Sequence, residues 1–239
     1  MYNPKWFTKP KAGILYNRAH PLARGLVGYW LFNEDNGNKV RDIISESNIG
    51  TFDLASRGVW TGSQMGGGML FPTANGRLNC GATYTFRESF TMCMWLNCTS
   101  FSGADGGYIG LFNFGTASTG AGMFYQNSLH AFNKGGVVTV SSALTVPTDK
   151  WQFVVWTCNE LRHPWLYLNG ALAFTSTNTG NITAPTGNKT IGSSVSTGFF
   201  NGIIDEVRIY NRVLSETEIK TLYANPHADF HGSKQLLLL

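Results

Sequence analysis

The chain has 239 residues, 43% hydrophobic, 13% aromatic and only 13% charged, with 28 glycines. A charged share about half the ~25% of an average globular domain excludes a coiled coil and a charge-rich disordered chain, and suits many short strands joined by glycine turns. Lys and Arg number 18 against 14 Asp and Glu, a net charge of +4 that is too mild to indicate a nucleic-acid partner by itself.

Residues 1–24 carry Lys5, Lys9, Lys11, Arg18 and Arg24 with no acid, the prolines Pro4, Pro10 and Pro21, and the large apolar Trp6, Phe7, Ile14 and Leu15. This composition reads as a basic docking arm. It lacks the continuous apolar stretch of a secretory signal peptide, and no run along the chain approaches the ~20 apolar residues of a membrane span. From Gly25 the pattern changes to repeated strand signals at 25–32, 69–71, 90–97, 108–114, 123–125 and 151–158, separated by Gly, Asn, Ser and Thr clusters; that spacing is typical of a sandwich. In 151–158 one face carries Trp151, Phe153 and Val155 and the other Val154, Trp156 and Cys158. A strand apolar on both faces is covered on both sides or lines a semi-enclosed groove. Asn169-Gly170 lies between two strand-like runs and predicts a type I′ hairpin, because both residues tolerate positive φ. The run 199–210 alternates as a strand, with Asp205 and Glu206 expected on opposite faces. Ser215 and Glu218 then form a capping box, with Leu214 and Ile219 as a hydrophobic staple. The spacing predicts a helix from about Glu216 that Asn225-Pro226 ends. The tail 227–239 closes on Leu236, Leu237, Leu238 and Leu239, which should not stay exposed in water. Cys80, Cys93, Cys98 and Cys158 are too few and scattered for a disulfide framework and form no C-x-x-C clip. We read them as reduced core thiols, with a disulfide involving Cys93 or Cys98 as the alternative. The expected organisation is an arm (1–24), a sandwich (25–226) and an apolar tail (227–239).

Four segments together resemble the laminin G-like, concanavalin A-like jelly-roll family, in its bacterial and viral branch. They are 25–34 with Asp42 shortly after, 90–95, 151–156 followed by 166–170, and 202–215 with Leu222-Tyr223. The resemblance implies an all-β sandwich of two antiparallel sheets with the first and last strands adjacent, one short C-terminal helix and extended terminal arms. The entry segment 20–30, preceded by its Lys/Pro arm, further resembles proteins encoded by tailed bacteriophages, which implies a place in a virion.

Function has to be argued from the site, because this fold hosts many. A glycosidase needs two carboxylates facing one sugar; the only acidic pair in a predicted strand is Asp205-Glu206, so no catalytic residues are expected. There is no Gly-x-Ser-x-Gly elbow either. The resemblance implies a structural Ca²⁺ held by Glu34, Asp42 and Asp205; no other cofactor is required. The competing reading has Asp205 paired with an arginine such as Arg208 or Arg212, and Asp42 or Asn48 ordering a turn. Stretch 71–77 carries no acid, which argues against calcium-mediated sugar binding. Candidate glycan-stacking rings are Trp60, Trp95, Tyr125, Trp156 and Trp165, although aromatics at strand spacing are more often core. His227 and His231 follow the helix-stopping Pro226 and make no zinc pair, and Gly66-Gly67-Gly68 reads as a turn. The arm shows no nucleic-acid-binding frame, so Trp6, Phe7, Ile14, Leu15 and Leu236 to Leu239 are expected to dock onto other subunits. The expected function is a non-enzymatic structural virion protein of a tailed phage, made in the host cytoplasm without a signal peptide. It would decorate or cement the capsid, or sit at the tail or neck, as a homo-oligomer among other virion proteins. The alternative is a carbohydrate-binding adhesin that recognises host-surface polysaccharide.

Overall fold

The computed structural model describes residues 9–10, 16–45, 48–52, 58–63, 65–71, 76–81, 89–100, 109–115, 120–125, 129–134, 138–141, 144–161, 163–176, 189–193 and 198–230. Among these residues sixteen strands are β1 (Leu26–Trp30), β2 (Lys39–Arg41), β3 (Ile49–Phe52), β4 (Val59–Ser63), β5 (Gly66–Phe71), β6 (Leu78–Asn79), β7 (Phe90–Cys98), β8 (Ile109–Gly115), β9 (Gly120–Tyr125), β10 (Leu129–Lys134), β11 (Val138–Ser141), β12 (Trp151–Cys158), β13 (Pro164–Leu168), β14 (Ala171–Thr175), β15 (Lys189–Ile191) and β16 (Gly202–Tyr210); one α-helix, α1 (Glu216–Ala224), follows. They form two eight-stranded antiparallel sheets, one ordered β14-β13-β12-β7-β16-β5-β4 with β1 also paired to β16, the other β11-β10-β9-β8-β15-β6-β3-β2. The expected all-β sandwich with adjacent first and last strands is thus the observed fold.

The two apolar faces of β12 explain the layering. Val154, Trp156 and Cys158 join Phe52, Leu78, Phe112, Met123, Ile191, Ile204, Val207 and Ile209 in a core between the sheets. Phe153 and Val155 point the other way, into a second core with Leu22, Leu26, Tyr29, Trp95, Leu214, Ile219, Leu222 and Phe230. The central strands of the first sheet, β12, β7 and β16, are therefore buried on both faces, the outer one roofed by the N-terminal segment, α1 and the turn that follows it. Local signals hold as expected. Asn169 and Gly170 take φ of 52° and 81° in a two-residue loop that pairs Leu168 with Ala171. Ser215 and Glu218 close the capping box at the start of α1, and all four cysteines are buried. Among the described residues no helix is long and apolar enough to cross a membrane.

Two expectations are corrected. Asp205 and Glu206 do not alternate, because Glu206 has φ of 52° and the β7–β16 register slips between Asp205 and Arg208. This β-bulge resets the pleat: Ile204, Val207 and Ile209 face the inter-sheet core, and Asp205, Glu206 and Arg208 all project to the outer side. The arm and tail boundaries also shift. Lys9, Leu22, His227, Asp229 and Phe230 are buried, Tyr16 bridges to Phe230, and the Asn17 amide donates to the Asp229 carbonyl at 2.8 Å. The described parts of both ends thus pack on their own sandwich rather than standing off as arms. Trp6, Phe7, Ile14, Leu15 and Leu236 to Leu239 lie outside the described residues.

Candidate functional site

The bulge in β16 concentrates charge. Lys9 Nζ donates to the Phe32 carbonyl at 2.7 Å, the Gly67 carbonyl at 2.6 Å and Asp205 Oδ1 at 2.6 Å, satisfying all three ammonium protons. Ser63 Oγ donates to Asp205 Oδ2 at 2.7 Å and the Glu206 amide to Oδ1 at 2.9 Å. On the other side of the bulge Glu206 accepts from the Tyr29 hydroxyl and lies 2.9 Å from His227 Nε2. The Arg208 guanidinium stacks 4.0 Å from the Tyr29 ring centre, donates to the Tyr29 hydroxyl and the Pro226 carbonyl, and reaches Asp229 Oδ1 at 3.3 Å. Burial pushes the Asp205 carboxyl up to about 7 against the pull of Lys9. Desolvation works on Glu206 as well, yet His227, Arg208 and Lys9 together hold it below the usual carboxylate range. Asp205, Glu206, Arg208 and Asp229 are each 0–2% exposed, so this cluster fastens the chain and admits no substrate.

An open groove of about 380 Å³ lies at the surface, lined by Ser89, Asn159, Glu160, Leu161, Arg212 and Val213. One wall is the loop between β12 and β13. There Asn159 Oδ1 accepts from the His163 amide at 2.8 Å while the Asn159 amide donates to the His163 carbonyl at 3.3 Å. This side-chain closure of a turn holds Glu160 and Leu161 exposed at its apex, Leu161 at 66%. The facing wall is rigid, because Arg212 makes a bidentate pair with Glu218 at 2.6 and 2.9 Å and donates from Nε to the Arg24 carbonyl at 2.7 Å. Hydroxyl, amide and carboxylate beside two aliphatic side chains, Leu161 and Val213, make a hydrogen-bonding surface with an apolar patch. A single lining carboxylate does not supply the acid and base pair of glycoside hydrolysis.

The structure does not bring the expected calcium ligands together. Glu34 Oε1 accepts the Arg41 amide at 2.7 Å. Asp42 Oδ1 accepts the Tyr29 and Ile44 amides, both at 2.9 Å, and so orders a turn. Asp205 is taken by Lys9, not by Arg208 or Arg212. Among the described residues no group of three His, Cys, Asp or Glu side chains could hold a metal, so this donor set does not fit the ion. Burial also removes two of the expected stacking rings. Trp95, 2% exposed, stacks on Tyr223 at 5.5 Å, and Trp156, 1% exposed, meets Phe90 edge-on at 4.7 Å. Trp60 and Trp165 are half-buried but stand towards opposite edges of the first sheet and make no common platform; the Tyr125 side chain lies outside the described residues. Sequence reasoning missed Lys9, Tyr29, Ser63, His227 and Asp229 as one network. One signal was available: apolar Ile204, Val207 and Ile209 are spaced three and then two apart, the signature of an extra residue in the strand.

Residues 72–220 match the Laminin_G_3 family model, described as the concanavalin A-like lectin/glucanases superfamily. The chain belongs to this superfamily. No curated protein matches it. Similar solved structures of the superfamily fold include domain 4 of AbnA, a GH43 extracellular arabinanase from Geobacillus stearothermophilus, in complex with arabinotriose (TM-score 0.68, 15% identity, 83% of this chain and 98% of that one). The binding domain of Paraclostridial Mosquitocidal Protein 1 follows (0.66, 15%, covering 84% and 52%), with Trypanosoma rangeli sialidase (0.62, 18%, covering 88% and 35%). At these identities the likeness is one of fold, and the chain spans about half of the second structure and about a third of the third.

Proposed function

We propose that this superfamily member is a non-catalytic carbohydrate-recognition module whose ligand lies in the groove between Ser89, the Asn159–Leu161 turn and Arg212. The observation that carries this reading is the groove itself: an exposed carboxylate beside a half-buried amide and hydroxyl, around the aliphatic Leu161 and Val213, matches the hydroxyls and C–H faces of a saccharide, while the acids of the β16 bulge are sealed in ion pairs. The AbnA domain bound to arabinotriose supports the choice of ligand class. Calorimetry against a panel of oligosaccharides, arabinotriose and host polysaccharide fragments included, should show saturable binding without release of reducing ends. Glu160→Ala should weaken it at least ~10-fold, the loss of a hydrogen bond to a charged group. Failure of every saccharide to bind, or full binding by Glu160→Ala, would sink this reading.

A second reading, a structural component of a tailed-phage virion at the capsid, tail or neck, is favoured by β14. This strand ends its sheet, carries neither charge nor proline and exposes Leu172 at 46%. Unprotected edges of this kind invite another strand. Light scattering should then give a mass above the 26.2 kDa of one chain, and Leu172→Lys should return it to the monomer. A monomeric wild-type chain would remove β14 as support for this reading.

A further inference from the structure

Among the described residues the network at the β16 bulge is short of permanent positive charge. Its three carboxylates, Asp205, Glu206 and Asp229, are 0–2% exposed, yet its permanent cations are two, Lys9 and Arg208. Among the described residues no other group packed against it carries a permanent charge that makes up the difference. Tyr29 from β1, Tyr210 from β16 and Tyr16 from the N-terminal segment are held neutral by burial, and so is Cys93 from β7, pushed up to about 12. Arg18 bonds the Ile44 carbonyl at the surface, Glu34 is engaged with Arg41 and Asp35 is exposed. An unbalanced buried charge is costly, and a proton is the cheapest way to cancel it.

We propose that this cluster is a proton-gated clasp, in which one proton on the buried Asp205-Glu206 pair keeps both described ends of the chain fastened to the outer face of the first sheet. Lys9 is the N-terminal half of the clasp. The C-terminal half is the turn carrying Pro226, His227 and Asp229, whose backbone is also tied to Asn17 and whose Phe230 packs 5.5 Å from Tyr16 and 6.1 Å from Tyr29. When the proton leaves, a buried negative charge remains unpaid in both halves at once, and they loosen together.

The sign follows from the two acids. Asp205, raised to about 7 from 3.8, binds more protons in the closed state than in the open one between those values, so its contribution is full at low pH and is lost as pH rises towards 7. Glu206 is shifted down, so its opposite contribution is already complete above the ordinary 4.5. Between pH 5 and 7 the closed state therefore weakens.

Hydrogen–deuterium exchange of the full chain, corrected for intrinsic exchange, tests this. Protection of peptides covering 16–31 and 226–230 should fall by about tenfold per pH unit between pH 5 and 7, as release of one proton requires, while peptides from β7 and β12 stay protected. Asp205→Asn leaves two carboxylates against two cations and should flatten the profile. A wild-type profile that is flat over this range overturns the proposal, as does an unchanged slope in folded Asp205→Asn.

Discussion

Replacing Lys9 by alanine should cost about 3–5 kcal/mol of unfolding free energy, the range for removing one partner of a buried ion pair. Urea denaturation followed by tryptophan fluorescence would measure it. The size comes from what is left behind. Asp205 keeps Ser63 Oγ and the Glu206 amide but loses its cation, and the Phe32 and Gly67 carbonyls lose a donor at 2.7 and 2.6 Å. The penalty should also depend on pH. With its carboxyl already pushed up to about 7 by burial, Asp205 in the variant takes up a proton at pH 5 and escapes part of the cost, whereas at pH 8 it stands charged and unpaired. Lys9→Ala should therefore be markedly less destabilising at pH 5 than at pH 8. Lys9→Arg should not restore stability, because a planar guanidinium cannot meet three acceptors placed around a compact ammonium. A loss below about 1 kcal/mol at pH 8 would place Lys9 among exposed ion pairs and would mean that the first residues do not belong to the fold.

What could be read from the sequence was what is local. The Asn169-Gly170 hairpin, the Ser215–Glu218 capping box and the two-faced β12 each need only a few neighbouring residues, and each stands where the pattern puts it. The charge network joins residues that no local rule connects. Lys9 and Asp205 are 196 positions apart, and the nearby Arg208 and Arg212, the natural guesses from sequence proximity, are engaged by Asp229 and Glu218 instead. Period-two reasoning fails at Glu206 because one residue in the left-handed region shifts every later side chain by a face. The calcium set parted for a related reason: the resemblance implied three carboxylates in one place, but backbone amides and a lysine engage each one separately. In the groove, Asn159, Glu160 and Leu161 were visible only as a loop, and Ser89 and Arg212 arrive there through strand pairing that the sequence does not show.

Trp156 discriminates between a ring that builds the protein and one that serves a ligand. Trp156→Ala should cost about 3–5 kcal/mol, the usual range for emptying a buried aromatic site, because the indole is 1% exposed and packs edge-on to Phe90 at 4.7 Å in the core between the sheets. Its neighbours on β7 and β13, Met92 and Leu166, are held in register by backbone pairing and cannot collapse into the space without breaking the ladder. Trp156→Phe should recover more than half of the loss. It keeps most of the ring volume and removes an indole N–H that has no hydrogen-bond partner among the described residues, a buried donor whose desolvation is uncompensated. Saccharide binding by the folded Trp156→Phe variant should equal that of the wild type, since the ring lies under the sheet and not in the groove. A variant of unchanged stability that no longer binds sugar would reverse the assignment, making Trp156 a stacking platform and moving the ligand from the Glu160 groove to the space between the sheets.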